Sequence, residues 1–202
     1  MRVLTTTVAI ALLSAAALAG DKANPTVTLE TTLGNIVLEL DAEKAPISTE
    51  NFLRYAKEGF YKGTVFHRVM PNFMIQGGGM DKDLNKKSKG MHSPIKNEWQ
   101  NGLKNVTGTI SMARTSAPDS ATSQFFINVV DNASLDVPRG GAAYAVFGKV
   151  VEGMDVVNKI RNTPTENNPK YPGGKVVPVT PVIIKAAHIK NDSKAATPAS
   201  GK

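Results

Sequence analysis

Over much of the chain apolar and polar residues alternate with a period of two, the pattern of strands that bury one face. Val27, Leu29 and Thr31 alternate, Gly34-Asn35 offers a turn able to take positive φ, and Ile36, Leu38 and Leu40 alternate on the return. This predicts a hairpin. The period then changes. Pro46-Ile47-Ser48-Thr49-Glu50 opens a helix, with Pro in the first turn, Ser48 as the expected cap, and Ile47 and Phe52 at the spacing of a hydrophobic staple. Phe52, Tyr55 and Ala56 form its apolar face and Gly59 is its expected stop. A second helix is predicted over 154–161, where Met154, Val157 and Ile160 share a face. Further strands are predicted over 64–70, 73–76, 109–113, 125–129, 145–150 and 182–189. Many short strands with two helices point to a mainly β domain. Closure into a barrel is expected, because it removes the edges that an open sheet must protect.

Composition places limits around this pattern. With 202 residues, 41% hydrophobic and 20% charged, the chain is of ordinary globular make-up, with no internal repeat and no linker that would divide it. It is long enough to bury roughly 70% of its unfolded surface without disulfides or a structural metal. There is no cysteine, which excludes thiol nucleophiles, thiolate metal sites and redox motifs. Residues 1–19 have the make-up of a cleaved export signal: Met1-Arg2, an apolar run from Val8, then Ala17-Leu18-Ala19. The run is shorter than the ~20 residues of a bilayer span, so no stable membrane association is expected after cleavage. Residues 20–25 then form a short mature extension, 26–189 the domain, and 190–202 a tail with nothing to bury, expected to be disordered. The formal charge of +7 invites a nucleic-acid reading. The densest basic run, 82–89, adjoins Asp81, includes Asp83 and has no aromatic for base stacking, so a solvated loop is expected and no nucleic-acid partner.

The familiar catalytic patterns are missing. His67, His92 and His188 fall in no metal-ligand spacing, and no G-x-S-x-G surrounds a serine. Gly77-Gly78-Gly79 leads into Met80-Asp81-Lys82, neither a phosphate loop nor a dinucleotide fingerprint, and is read as room for a bend or a close neighbour. No cofactor and no metal are expected. Asn105-Val106-Thr107, Asn132-Ala133-Ser134 and Asn191-Asp192-Ser193 match the N-glycosylation pattern and are read as chance.

What remains suits binding without covalent chemistry. The run Phe66-His67-Arg68-Val69-Met70-Pro71-Asn72-Phe73-Met74-Ile75-Gln76-Gly77-Gly78-Gly79 is followed by Ile110-Ser111-Met112-Ala113-Arg114 and by Ser123-Gln124-Phe125-Phe126-Ile127-Asn128. Leu135-Asp136 comes next, then Tyr144-Ala145-Val146-Phe147-Gly148-Lys149-Val150. In this order the segments resemble the signature of the cyclophilin family of peptidyl-prolyl cis-trans isomerases. The likeness to exported bacterial cyclophilins is particular: they resemble this chain in Pro94-Ile95-Lys96-Asn97-Glu98, and in Arg114 and Tyr144 where many eukaryotic relatives carry Asn and His. The resemblance implies a closed eight-stranded antiparallel β-barrel capped by two α-helices, acting in the periplasm, or second outside the cell, as a monomer.

The resemblance also implies a site. Arg68 would be the principal catalytic residue, with Phe73 and Gln76 beside it; Met74, Phe126 and Leu135 would complete the proline pocket, and Tyr144 would stand at its rim. Gln76 and Gln124 would bind substrate carbonyls and hold Arg68, and the backbone around Ala113 and Arg114 would take the residues preceding proline. The chemistry is coherent, because rotation about an X-Pro bond breaks amide resonance and leaves a localised lone pair on the proline nitrogen. A fixed guanidinium binds that twisted state better than either planar one. An acceleration of about 10⁵ requires only ~7 kcal/mol. Proline-containing unfolded or partly folded polypeptides are the implied partners, with assistance to protein folding as the role. A proline-binding module or holdase with incidental turnover is the alternative. Ser134 stands where much of the family has Trp, so cyclosporin binding is expected to be weak at most; residues 137–143 match the family least.

Overall fold

The computed structural model describes residues 24–190. The export signal, residues 20–23 of the mature extension and the tail beyond Lys190 lie outside the described residues. The strands are β1 (Thr26–Thr31), β2 (Gly34–Leu40), β3 (Arg68–Met70), β4 (Met74–Gly77), β5 (Thr109–Met112), β6 (Phe125–Asn128), β7 (Val146–Glu152), β8 (Thr165–Glu166), β9 (Val177–Pro178) and β10 (Ile184–Lys190). The helices are α1 (Pro46–Lys57) and α2 (Met154–Arg161), with a 3₁₀ turn at Ala133–Asp136. Eight strands form one curled antiparallel sheet in the order β10-β1-β2-β7-β5-β6-β4-β3, and β8 pairs only with β9.

The sheet is a half-barrel, and the expected closure by strand pairing does not occur. β3 and β10 are its two edges. Between them run local links: a bridge from Val65 to Ile183, the Phe66 amide donating to the Val182 carbonyl at 3.0 Å, the Ile184 amide to the Thr64 carbonyl at 2.8 Å, and the Gly63 amide to the Ile184 carbonyl at 2.8 Å. The reason lies in 64–67, which the alternation placed in a strand but which becomes regular only at Arg68. The edge of β3 is instead occupied from outside the ladder, where the Val69 amide donates to the Val176 carbonyl at 2.8 Å.

The inner face of the sheet is apolar along its register. Val69 lies opposite Ile75, Ile75 opposite Ile127, and Ile127 opposite Ile110, all fully buried. Helix α1 lies against β10 and β7 and adds Phe52, Tyr55 and Ala56 to this core, where Phe52 meets Phe125 edge-on at 5.4 Å between ring centroids. It starts at Pro46 as expected, but its cap differs from expectation. Ala45 is the cap residue, Pro46 begins the helix, and the Ser48 hydroxyl donates to Glu98 instead of accepting a helix amide. The Glu98 carboxylate does the capping, accepting the Ile47 amide at 2.9 Å and the Ser48 amide at 2.8 Å from fifty residues away. Ile47 is 39% exposed and lies outside the buried cluster, so it does not staple the buried Phe52. Helix α2 lies against β2, β3 and β4. It follows Gly153, at φ 87°, where a Cβ would come within 2.2 Å of the Asn35 carbonyl oxygen. Only glycine fits both demands.

Candidate active site

The outer face of the same sheet carries the candidate chemistry. Because side chains alternate across a strand, the row beside Val69-Ile75-Ile127 points the other way: Arg68 on β3 is opposite Gln76 on β4, and Gln76 is opposite Phe126 on β6. Arg68 and Gln76 are half-buried and Phe126 is buried. Arg68 Nη1 donates to Gln76 Oε1 at 3.4 Å, and Gln76 Nε2 donates to Gln124 Oε1 at 2.9 Å. This chain of amides aims the guanidinium without consuming it, since Arg68 bonds no other described side chain. Gln124 can approach because residue 79 is glycine: a Cβ there would lie 2.3 Å from the Gln124 side chain. The Arg68 guanidinium carbon lies 6.0 Å from the Phe73 ring centroid.

These residues open onto a groove of about 380 Å³. Arg68, Phe73, Met74, Gln76, Ala113, Arg114, Phe126, Leu135 and Tyr144 all line it. Gln124 stands behind Gln76, and Ser134 is exposed on the 3₁₀ turn outside the lining. Phe126 and Tyr144 meet edge-on at 5.6 Å, giving the apolar part of the groove rigid walls. In a strand running through 64–70 Phe66 would share the face of Arg68, but Phe66 precedes the regular strand and is buried in the core against Phe125.

One lining residue, Tyr171, carried no signal in the sequence. It lies in the Asn- and Pro-rich segment between β8 and β9, which packs over the edge of β3 and places its ring 5.2 Å from that of His67. A second unforeseen feature lies beneath the groove. Asn105, 1% exposed, donates to Asp136 Oδ1 at 2.8 Å and to the Tyr144 carbonyl at 3.2 Å, and accepts from Ser111 and Asn128. Asn132 donates to the Phe73 carbonyl at 2.7 Å and to Asn128 at 2.8 Å. This buried network ties the backbones carrying Phe73, Leu135 and Tyr144 to one another, and it occupies the amides of two of the N-glycosylation patterns. Asn105, Asn128 and Asn132 are scattered along the chain and gave no pattern that could have foretold it.

A curled antiparallel sheet thus brings the half-buried Arg68 and the rings of Phe73, Phe126 and Tyr144 to one groove. The family described as cyclophilin type peptidyl-prolyl cis-trans isomerase/CLD matches residues 26–189, and the chain belongs to that family. It is 57% identical over 169 residues to a peptidyl-prolyl cis-trans isomerase of Acinetobacter baylyi, covering 84% of this chain and 87% of the relative. It is 56% identical over 163 residues to peptidyl-prolyl cis-trans isomerase A of Dickeya dadantii, covering 81% and 83%. Among solved structures it resembles a Cryptosporidium parvum cyclophilin type isomerase at a TM-score of 0.67 and 27% identity, covering 83% of this chain and 98% of the other. The protein is a peptidyl-prolyl cis-trans isomerase.

Proposed function

We propose that this isomerase rotates X-Pro bonds in exported polypeptides in the periplasm, assisting their folding, and that Arg68 drives the rotation. The proline ring enters the apolar part of the groove between Phe73, Met74, Phe126 and Leu135. The residues before it lie along the backbone at Ala113. As the bond twists, the proline nitrogen becomes a hydrogen-bond acceptor, and a guanidinium donor held by Gln76 and Gln124 stabilises that state over both planar ones. The observation that carries this reading is the Arg68 guanidinium itself, aimed along the groove by one long hydrogen bond with its other donors free of described side chains. Export rests on residues 1–19, and a role in folding follows from substrates that arrive unfolded.

The test is exchange NMR of a short X-Pro peptide with the mature protein and its Arg68→Ala variant. The expected result is a loss of turnover of about a hundredfold, or ~2.7 kcal/mol in the barrier. Peptide affinity should stay within about tenfold, or 1.4 kcal/mol. Equal losses of turnover and affinity would overturn the mechanism and favour a proline-binding module or holdase.

A further inference from the structure

Arg114 lines the groove beside Tyr144, yet its side chain is already occupied. A guanidinium has five N–H donors, and five backbone carbonyls accept from this one. Nε donates to Ala143 at 3.2 Å; Nη1 to Thr115 at 2.9 Å and Ser116 at 3.2 Å; Nη2 to Arg139 at 3.0 Å and to Ala142. Its carbon also lies 4.8 Å from the centroid of the Tyr144 ring. The 137–143 loop that receives three of these bonds is anchored at its end by the buried Ala142 and Ala143 and by Asn97, whose side-chain amide donates to the Ala143 carbonyl at 3.1 Å, while its tip has, among the described residues, only the bond from the Arg139 amide to the Ala142 carbonyl besides Arg114. Val137 is 57% exposed, residues 138–141 are exposed, and Gly140 and Gly141 sit at φ 64° and 95°. An exposed, glycine-bearing loop is entropically costly to order.

We propose that Arg114 is a positioning residue for the isomerase groove: its side chain clasps the 137–143 loop to the 115–116 turn and flattens the Tyr144 ring against the proline pocket, and it takes no part in holding substrate. This rests on the reading of the groove as the substrate site. The residue type matters, because lysine would keep the charge but could neither reach carbonyls on two loops with a fixed fork nor present a flat face to the ring. The wall that Arg114 fixes includes Tyr144, whereas Arg68 and Gln76 reach the groove from β3 and β4. Loss of the clasp should therefore weaken substrate binding more than the rotation step.

The experiment compares Arg114→Ala, Arg114→Lys, Tyr144→Ala and the Arg114→Ala/Tyr144→Ala double variant by peptide isomerisation kinetics and amide hydrogen exchange. In Arg114→Ala the Arg139 amide, which bonds the Ala142 carbonyl, should exchange at least about tenfold faster with β1 and β2 unchanged, and KM should rise about tenfold with kcat nearly kept. Arg114→Lys should not restore KM, and the Arg114→Ala effect should largely vanish in the Tyr144→Ala background. If Arg114→Ala does not fold, the Lys variant carries the same readouts. Unchanged exchange at Arg139, rescue of KM by lysine, or additive effects of the two alanine substitutions would overturn the clasp. Failure of the isomerase mechanism would show instead in the wild type and Arg68→Ala, where Arg114 is intact.

Discussion

His67 and Arg68 are adjacent in sequence and opposite in environment. Arg68 faces the groove, half-buried, whereas His67 is fully buried and its ring nitrogens make no well-formed hydrogen bond. Burial lowers the imidazole pKa to about 4; the nearby Val65 backbone raises it and Arg68 lowers it by lesser amounts. The folded protein therefore keeps His67 neutral while the unfolded chain takes up a proton near pH 6.5. Its contribution to stability is full above about pH 6.5 and falls as the pH drops towards 4, reaching a loss on the order of 2 kcal/mol at pH 5. Urea unfolding at pH 7 and pH 5 measures this. His67→Phe, which cannot titrate, should lose less stability between the two than the wild type, by about that amount; an identical loss in both proteins would count against a neutral His67. Alternation along a strand separates the two side chains, but nothing in the sequence shows which face is dry.

Single elements were legible where their determinants are local. The β1–β2 hairpin and α2 stand where periodicity put them, and α1 begins at Pro46 and stops before Gly59 as its local residues require. The cap of α1 was not legible, because its acceptor comes from Glu98, distant in sequence and close only in the fold. Glu98→Ala should cost about 1–2 kcal/mol, as loss of a helix cap does. The measurement is the urea midpoint together with hydrogen exchange at the amides of Ile47 and Ser48, which should quicken while those of α2 do not. An unaltered midpoint would mean that water serves α1 as well as the carboxylate. Tyr171 is the same case at the groove: the segment around it is polar and irregular, and only its packing over β3 makes it a groove residue.

For the molecule as a whole, one buried cluster joins residues of the curled sheet and both helices, from Val27 to Ile184. A shared core implies one cooperative unit. Trp99 is the sole tryptophan, so its fluorescence and far-UV circular dichroism should report a single superimposable urea transition; separated transitions would show that part of the half-barrel melts alone. The open seam between β3 and β10 was hidden from the sequence, since pairing across a seam depends on where two distant edges come to rest. By itself the sequence determined which residues are apolar, the period of each segment and the order of the motifs, because alternation and turn chemistry act between near neighbours. Its motifs marked Arg68, Phe73, Met74, Gln76 and Phe126 only through their resemblance to the cyclophilin family, not through alternation. Only the tertiary structure decided that these share one groove, that Asn105 and Asn132 brace it, that Arg114 turns to the backbone, and that the sheet stays a half-barrel. Each of these depends on contacts between segments far apart in the chain, made only when the core brings them together.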